Sequence, residues 1–308
     1  MSQYGNIPDM TASLNLNDNR IGNMRKRNCL SLLPYLFFLS FTASNILGFS
    51  NLKTVVSKEE KIRQKDSFSF AVIGDSQPRG LFGQPEAFRK IVSGVNGSGA
   101  EFAVHLGDKI KGSARADTVI KQHEEFFKVA KGLKVRMYHA AGNHDIKKSR
   151  ENESIHEKFF GPLYYSFAHK SAFFIVLNTE AVGDEGSIGE KQMPWLEGEL
   201  EKSRKYRDVF VFMHRPLYSA VFSGMDGIHF SSPGHRNGLA ELFSRYGITA
   251  LFCGHEHLYR ASRHNGLLQV ISGGGGAPFH FYPKGNFHHY MLVRVGKDTV
   301  DIEAVPIQ

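Results

Sequence analysis

Five short runs of this 308-residue chain carry side chains that bind hard or borderline cations: G-D-S-Q at 74–77, G-D-K at 107–109, G-N-H-D at 142–145, His214, and G-H-E-H at 254–257. Asp and Asn offer oxygen, His offers nitrogen, and seven or eight such groups converging from separate strand ends would saturate two divalent cations rather than one. The set therefore points to two cations and to metal-assisted hydrolysis. Closed structural zinc sites favour cysteine-rich sets, and the only cysteines are Cys29 and Cys253.

In this order the runs resemble the calcineurin-like metallophosphoesterase superfamily, from about Phe68 to the C-terminus. The resemblance implies that Asp75 binds a first metal, Asp108 bridges both, Asn143, His214 and His255 bind the second, and His257 returns to the first. It implies two divalent or trivalent ions, Mn, Fe or Zn, sharing a hydroxide that attacks phosphorus in line. His144 is assigned to leaving-group protonation or to stabilising transition-state oxygen, with Asp145 holding its imidazole and favouring the charged form. The two imidazoles of G-H-E-H are expected to alternate along an extended segment.

The family's first motif is D-x-H, whereas here position 77 is Gln77. Its neutral amide oxygen is a candidate metal ligand, a partner that orients a ligand, or a spectator. Purple acid phosphatases, a related branch, place Tyr three positions after the bridging Asp, where this chain has Lys111, so an iron–tyrosinate centre is not expected. The segments M-H-R-P-L-Y and G-H-E-H-L-Y resemble the purple-acid-phosphatase side, and phosphomonoester hydrolysis leads. The alternatives are a phosphodiesterase or nucleotide hydrolase, or a catalytically weak metal- or phosphate-binding homologue.

These runs need strand ends to position them. Apolar stretches predict strands at 68–73, 102–106, 135–140, 164–168, 172–177, 209–213 and 249–253, with helices at 85–95, 117–131, 190–204 and 237–246. Stretches 267–271, 290–295 and 299–305 read as a terminal antiparallel meander. The fold class is α/β, and the family resemblance implies a four-layer α-β-β-α sandwich of two mixed sheets, with ligands beyond the carboxyl ends of the strands. Residues 217–237 read as a loop lid, and the glycine run 273–276 as a tight loop beside the metals. Arg79, Arg215, His229, His235, Arg260 and His280 are further loop groups within reach of a substrate phosphate.

At the N-terminus, Arg25, Lys26 and Arg27 precede an apolar stretch from Leu30 to about Phe41, the layout of an export signal or an uncleaved membrane anchor, with Met24 a candidate true start. The expected organisation is therefore a leader over 1–50, a polar linker over 51–66 and a catalytic domain over 67–308, exported to a periplasmic or extracellular space. A net charge of +8 with dispersed Lys and Arg suits a small phosphate-ester substrate. No nucleic-acid partner is expected, and membrane contact only through the leader. Cys253 reads as a small buried apolar residue.

Overall fold

The computed structural model describes residues 13–15, 66–221, 232–279 and 286–308. Its strands are β1 (Ser13–Asn15), β2 (Phe68–Ile73), β3 (Phe102–His105), β4 (Arg136–His139), β5 (Tyr165–His169), β6 (Ala172–Val176), β7 (Asp208–Met213), β8 (Ala250–Cys253), β9 (Tyr259–His264), β10 (Leu267–Ser272), β11 (His289–Val295) and β12 (Val300–Pro306). The helices are α1 (Glu86–Gly97), α2 (Ala116–Ala130), α3 (Asn143–Ile146), α4 (Arg150–Phe160), α5 (Gln192–Ser203) and α6 (Pro233–Arg245).

The strands form two six-stranded mixed sheets, ordered β1-β12-β11-β2-β3-β4 and β5-β6-β7-β8-β10-β9. Strand β2 shows why they stack: Phe68, Phe70 and Val72 belong to the cluster between the sheets, whereas Ala71 and Ile73 face a second cluster with α1 and α2. Period-two alternation with both faces apolar makes a strand that is buried on both sides. The inter-sheet layer is largely aromatic, with Phe70 stacked on Phe102 at 5.3 Å and meeting Phe174 edge-on at 5.4 Å. Helices α5 and α6 cover the outer face of the second sheet. The result is the expected α-β-β-α sandwich.

Helix α1 buries Phe88, Ile91, Val92 and Val95, an i, i+3, i+4, i+7 stripe. Helix α6 starts where expected physics puts a start: Pro233 follows Ser232, whose side chain accepts from the His235 N–H. Two helices, α3 and α4, fall where no helix was expected. In α4 the buried face is Asn152, Glu153, Ile155 and His156, so its stripe is mostly polar and gives no hydrophobic period.

The terminal meander is corrected. Strand β10 lies in the second sheet, parallel to β8 and antiparallel to β9, while β11 and β12 form a hairpin in the first. Strand β9 is only partly buried, so it carries no apolar signal. Its link to β10 is Asn265-Gly266, both with positive φ (48° and 88°), the turn that a right-twisted two-residue hairpin favours. At the other edge β1 pairs antiparallel with β12. The apolar stretch 30–41 and residues 51–65 of the linker lie outside the described residues, among which no helix is long and apolar enough to cross a membrane. Cys253 is fully buried, as expected.

Candidate metal centre

Strands β2, β3 and β4 run parallel in one sheet, and β6, β7 and β8 run parallel in the other. The loops after their carboxyl ends bring Asp75, Gln77, Asp108, Asn143, His214, His255 and His257 together. His214 Nε2 lies 2.9 Å and His255 Nδ1 2.8 Å from Asn143 Oδ1, and the two ring nitrogens are 3.2 Å apart. Asp108 Oδ1 is 3.5 Å from His214 Nε2. On the other side, His257 Nε2 is 3.6 Å from Asp75 Oδ1, and Gln77 Nε2 is 3.3 Å from both Asp108 Oδ2 and His257 Nε2. Asp75, Asp108 and His257 each offer a ligand atom, and these atoms all lie within 4.8 Å of one another.

The backbone is bent to achieve this. Asp75, Asp108 and His255 have φ of 57°, 56° and 69°, left-handed values that cost a residue with a side chain and that concentrate at functional sites. His255 therefore does not sit in an extended segment, which corrects that expectation. A Cβ on Gly142 would fall 2.2 Å from Asp108 Oδ1, and one on Gly254 2.5 Å from Asp75 Oδ2. Only glycine lets these carboxylates come so close to the neighbouring loops.

Backbone carbonyls fix the imidazoles. Nδ1 of His214 donates to Leu106 O at 3.0 Å and Nδ1 of His257 to Pro278 O at 2.6 Å. A carbonyl only accepts, so the proton is on Nδ1 and the Nε2 lone pair of each ring faces the cluster, ready to ligate. Burial lowers the His214 pKa well below its ordinary value, assisted by Arg215, which keeps the ring neutral. Burial pushes Asp75 and Asp108 well above the usual carboxylate range; Asp145 adds repulsion at both, and Asp75 itself does so at Asp108. A cation between the two carboxyls would offset both the burial and the repulsion. Gln77 Oε1 is buried with no hydrogen-bond partner, and an amide flip would present that oxygen to Asp108 and His257. The donor set and its spacing fit bound metal, and Gln77 joins it in the flipped orientation.

His144 lies at the rim, its Nε2 4.0 Å from Asp108 Oδ2 and its backbone N–H donating to Asp108 Oδ1 at 2.8 Å. The expected Asp145 clasp is corrected: His144 Nδ1 donates to Lys111 O at 2.8 Å. Asp145 instead accepts from the N–H groups of Gly142, Asp108 and Lys109 at 2.9–3.0 Å and from Lys109 Nζ at 2.8 Å. Its oxygens are saturated by the turn that carries Asp108. Asp145 does pull the His144 pKa up, as does the Lys111 carbonyl, but burial, with Lys147 and Lys111, outweighs them and lowers it.

Three residues here escaped sequence reasoning. Lys109 is fully buried against Asp145. Glu180 takes Arg215 in a two-point grip, Nε to Oε1 at 2.7 Å and Nη2 to Oε2 at 2.9 Å. Glu256, between the two histidines, accepts from Ala220 N at 2.9 Å and ties its loop to the segment that follows His214. Among the looser candidates, His235 accepts from Ile188 N, Arg260 lies in β9, and His229 and His280 fall outside the described residues. The glycine run is laced to the site, with Gly275 N donating to Gly74 O at 2.7 Å. Of the lid, residues 222–231 are outside the described residues.

A family model for calcineurin-like phosphoesterases matches residues 68–259. Human serine/threonine-protein phosphatase CPPED1 is 27% identical over 182 residues, which cover 56% of this chain and 58% of that protein. The chain spans about half the length of the curated relatives it matches. Among solved structures, a purple acid phosphatase from yellow lupin seeds superposes with a TM-score of 0.63 at 18% identity, over 78% of this chain and 51% of that one. A dimetal phosphatase from Danio rerio gives 0.58 at 17%, over 78% and 97%. These two share the fold.

Proposed function

This chain belongs to the calcineurin-like phosphoesterase family, and on that premise we propose that it hydrolyses phosphate monoesters with two metal ions, Mn, Fe or Zn, at the centre described above. The observation that carries the reading is the convergence of metal-ligating side chains from both sheets, with ligand atoms of Asp75, Asp108 and His257 all within 4.8 Å of one another and His214 and His255 both at Asn143 Oδ1. Asp75, Gln77 and His257 would hold one ion, Asn143, His214 and His255 the other, with Asp108 between them. A cation pair there supplies charge neutralisation for a phosphoryl group and acidifies water for attack on phosphorus.

The side chains do the rest. His214 and His257 keep their lone pairs aimed inward through their carbonyl partners. His144 sits at the mouth with Nε2 directed towards Asp108, where it hydrogen-bonds substrate oxygen and passes a proton to the departing alcohol. Asp145 holds the turn, so its contribution is positional. Neutral His144 at rest, as its lowered pKa requires, takes up its proton as the anionic ester binds.

Purified protein, assayed for bound metal and for turnover of p-nitrophenyl phosphate and bis(p-nitrophenyl) phosphate, tests this. Metal-loaded protein that cleaves the monoester faster supports the reading, and metal-loaded protein that cleaves neither ester overturns it. Export is part of the proposal, supported by the basic and apolar layout of residues 25–41; N-terminal sequencing of protein recovered outside the cytoplasm tests it.

A further inference from the structure

Among the described residues four large hydrophobic side chains are exposed, and two of them, Phe82 and Phe279, share one cavity beside the metal-binding loops. The cavity has a volume of ≈ 450 Å³, and its lining includes Pro78, Arg79, Phe82, Pro85, Pro278 and Phe279. Isolated exposed apolar residues are ordinary, but a cluster at the edge of a reaction site marks a surface kept for a ligand.

Both walls are fixed to the metal-binding loops. One wall follows Gln77 directly in the chain and is held by Gln122 Nε2 donating to Leu81 O at 2.8 Å. The other contains Pro278, whose carbonyl accepts from His257 Nδ1 at 2.6 Å, and Ala277, whose N–H donates to Asp75 O at 2.8 Å. The walls meet at the floor, where a Cβ on Gly276 would stand 2.9 Å from Pro85 Cβ. Phe279 is stacked on His288, ring centroids 4.4 Å apart. The surfaces on offer are flat: two phenyl rings, three proline faces and the Arg79 guanidinium. Arg79 has neither an ion pair nor a hydrogen bond among the described residues, which leaves its plane open to stack on a ring.

We propose that this cavity seats an aromatic ring carried directly on the phosphate oxygen, so that the preferred substrates are aryl phosphates. The inference rests on the phosphomonoesterase reading and specifies its leaving group. An aliphatic ester lacks the flat face that Phe82, Phe279 and Arg79 would cover, and the lining adjoins the metal-binding loops at Pro78, next to Gln77, and at Pro278, whose carbonyl holds His257, which favours a short link between ring and phosphorus.

The test compares binding of two non-hydrolysable probes, 1-naphthylmethylphosphonate and methylphosphonate, to the metal-loaded full chain by calorimetry. The aryl probe is expected to bind about tenfold tighter, a preference that stacking on two rings supplies. In F82A/F279S that ratio falls to about twofold or less, while inorganic phosphate affinity and the thermal midpoint hold. In turnover, the same variant raises KM for phenyl phosphate against glycerol phosphate with kcat little changed. Equal affinity of the wild type for both probes overturns the proposal, as does a preference that survives in F82A/F279S. A protein that keeps the aryl preference yet cleaves no ester overturns the catalytic reading alone. One that cleaves esters without the preference overturns the pocket alone.

Discussion

Lys109 and Asp145 form an ion pair that solvent does not reach: Nζ lies 2.8 Å from Oδ2, with both side chains fully buried. Lys109 Nζ also donates to Ala140 O at 2.8 Å and sits 4.8 Å above the Phe160 ring. Burial alone would raise the Asp145 carboxyl, but Lys109, His123 and the Gly142 N–H outweigh it and hold the group below its ordinary value. The charged carboxylate is what gathers three backbone N–H groups beneath Asp108.

Lys109→Met removes the cation and leaves Asp145 charged or forces it to protonate. Breaking one side of a buried pair costs about 3–5 kcal/mol. A folded domain of this size loses roughly 2–4 °C per kcal/mol, so the thermal midpoint should fall by about 10 °C, read by circular dichroism. An unchanged midpoint would show that Asp145 keeps its contacts without the lysine.

Metal should stabilise the fold as well as serve the reaction. Burial raises the Asp75 and Asp108 carboxyls, so a cation bound between them favours the charged native form. Ligand that binds only the native state adds about 2.7 kcal/mol at a hundredfold excess over Kd. Chelation should lower the midpoint and added Mn or Zn restore it. Asp108→Ala should lose both the metal response and turnover, by metal analysis and assay of the same sample.

His144→Ala separates loading from rate. The ring makes its hydrogen bond to Lys111 O rather than to any of the metal-binding side chains, and it stands at the rim. Metal content should be unchanged while kcat drops about 10²–10⁴-fold, the usual worth of a positioned proton donor. Wild-type kcat in the variant would remove His144 from the reaction.

The donors were legible because they follow apolar strands, and four of them, Asp75, Asp108, Asn143 and His255, come directly after a glycine. What holds them was not. Lys109 reads as a surface lysine, since sequence does not reveal that Asp145, 36 residues on, meets it in the interior. The Asp145–His144 clasp seemed natural from adjacency, yet the helical turn over Asn143–Ile146 points the two side chains to different partners. The sheet assignment of β10 failed because β9 lacks an apolar stripe, although Asn265-Gly266 carried the hairpin signal.

Acid should destabilise the domain through His123. Its ring packs 5.1 Å from both Phe159 and Phe160, and neither nitrogen has a hydrogen-bond partner. Burial lowers its pKa to about 4, with Asp145 pulling it up and Lys109 pushing it down. The folded value lies below the unfolded one, so at pH between the two the unfolded chain binds the proton that the native state refuses. Stability is full above the unfolded value of ~6.5 and is lost as pH falls towards 4, amounting to about 2 kcal/mol for this group at pH 5. His156 and His139 are buried and shifted the same way, which steepens the loss. His123→Phe should keep the pH 7.5 urea midpoint close to wild type and reduce the drop between pH 7.5 and pH 5. A variant with the full wild-type drop would assign the acid sensitivity to other groups.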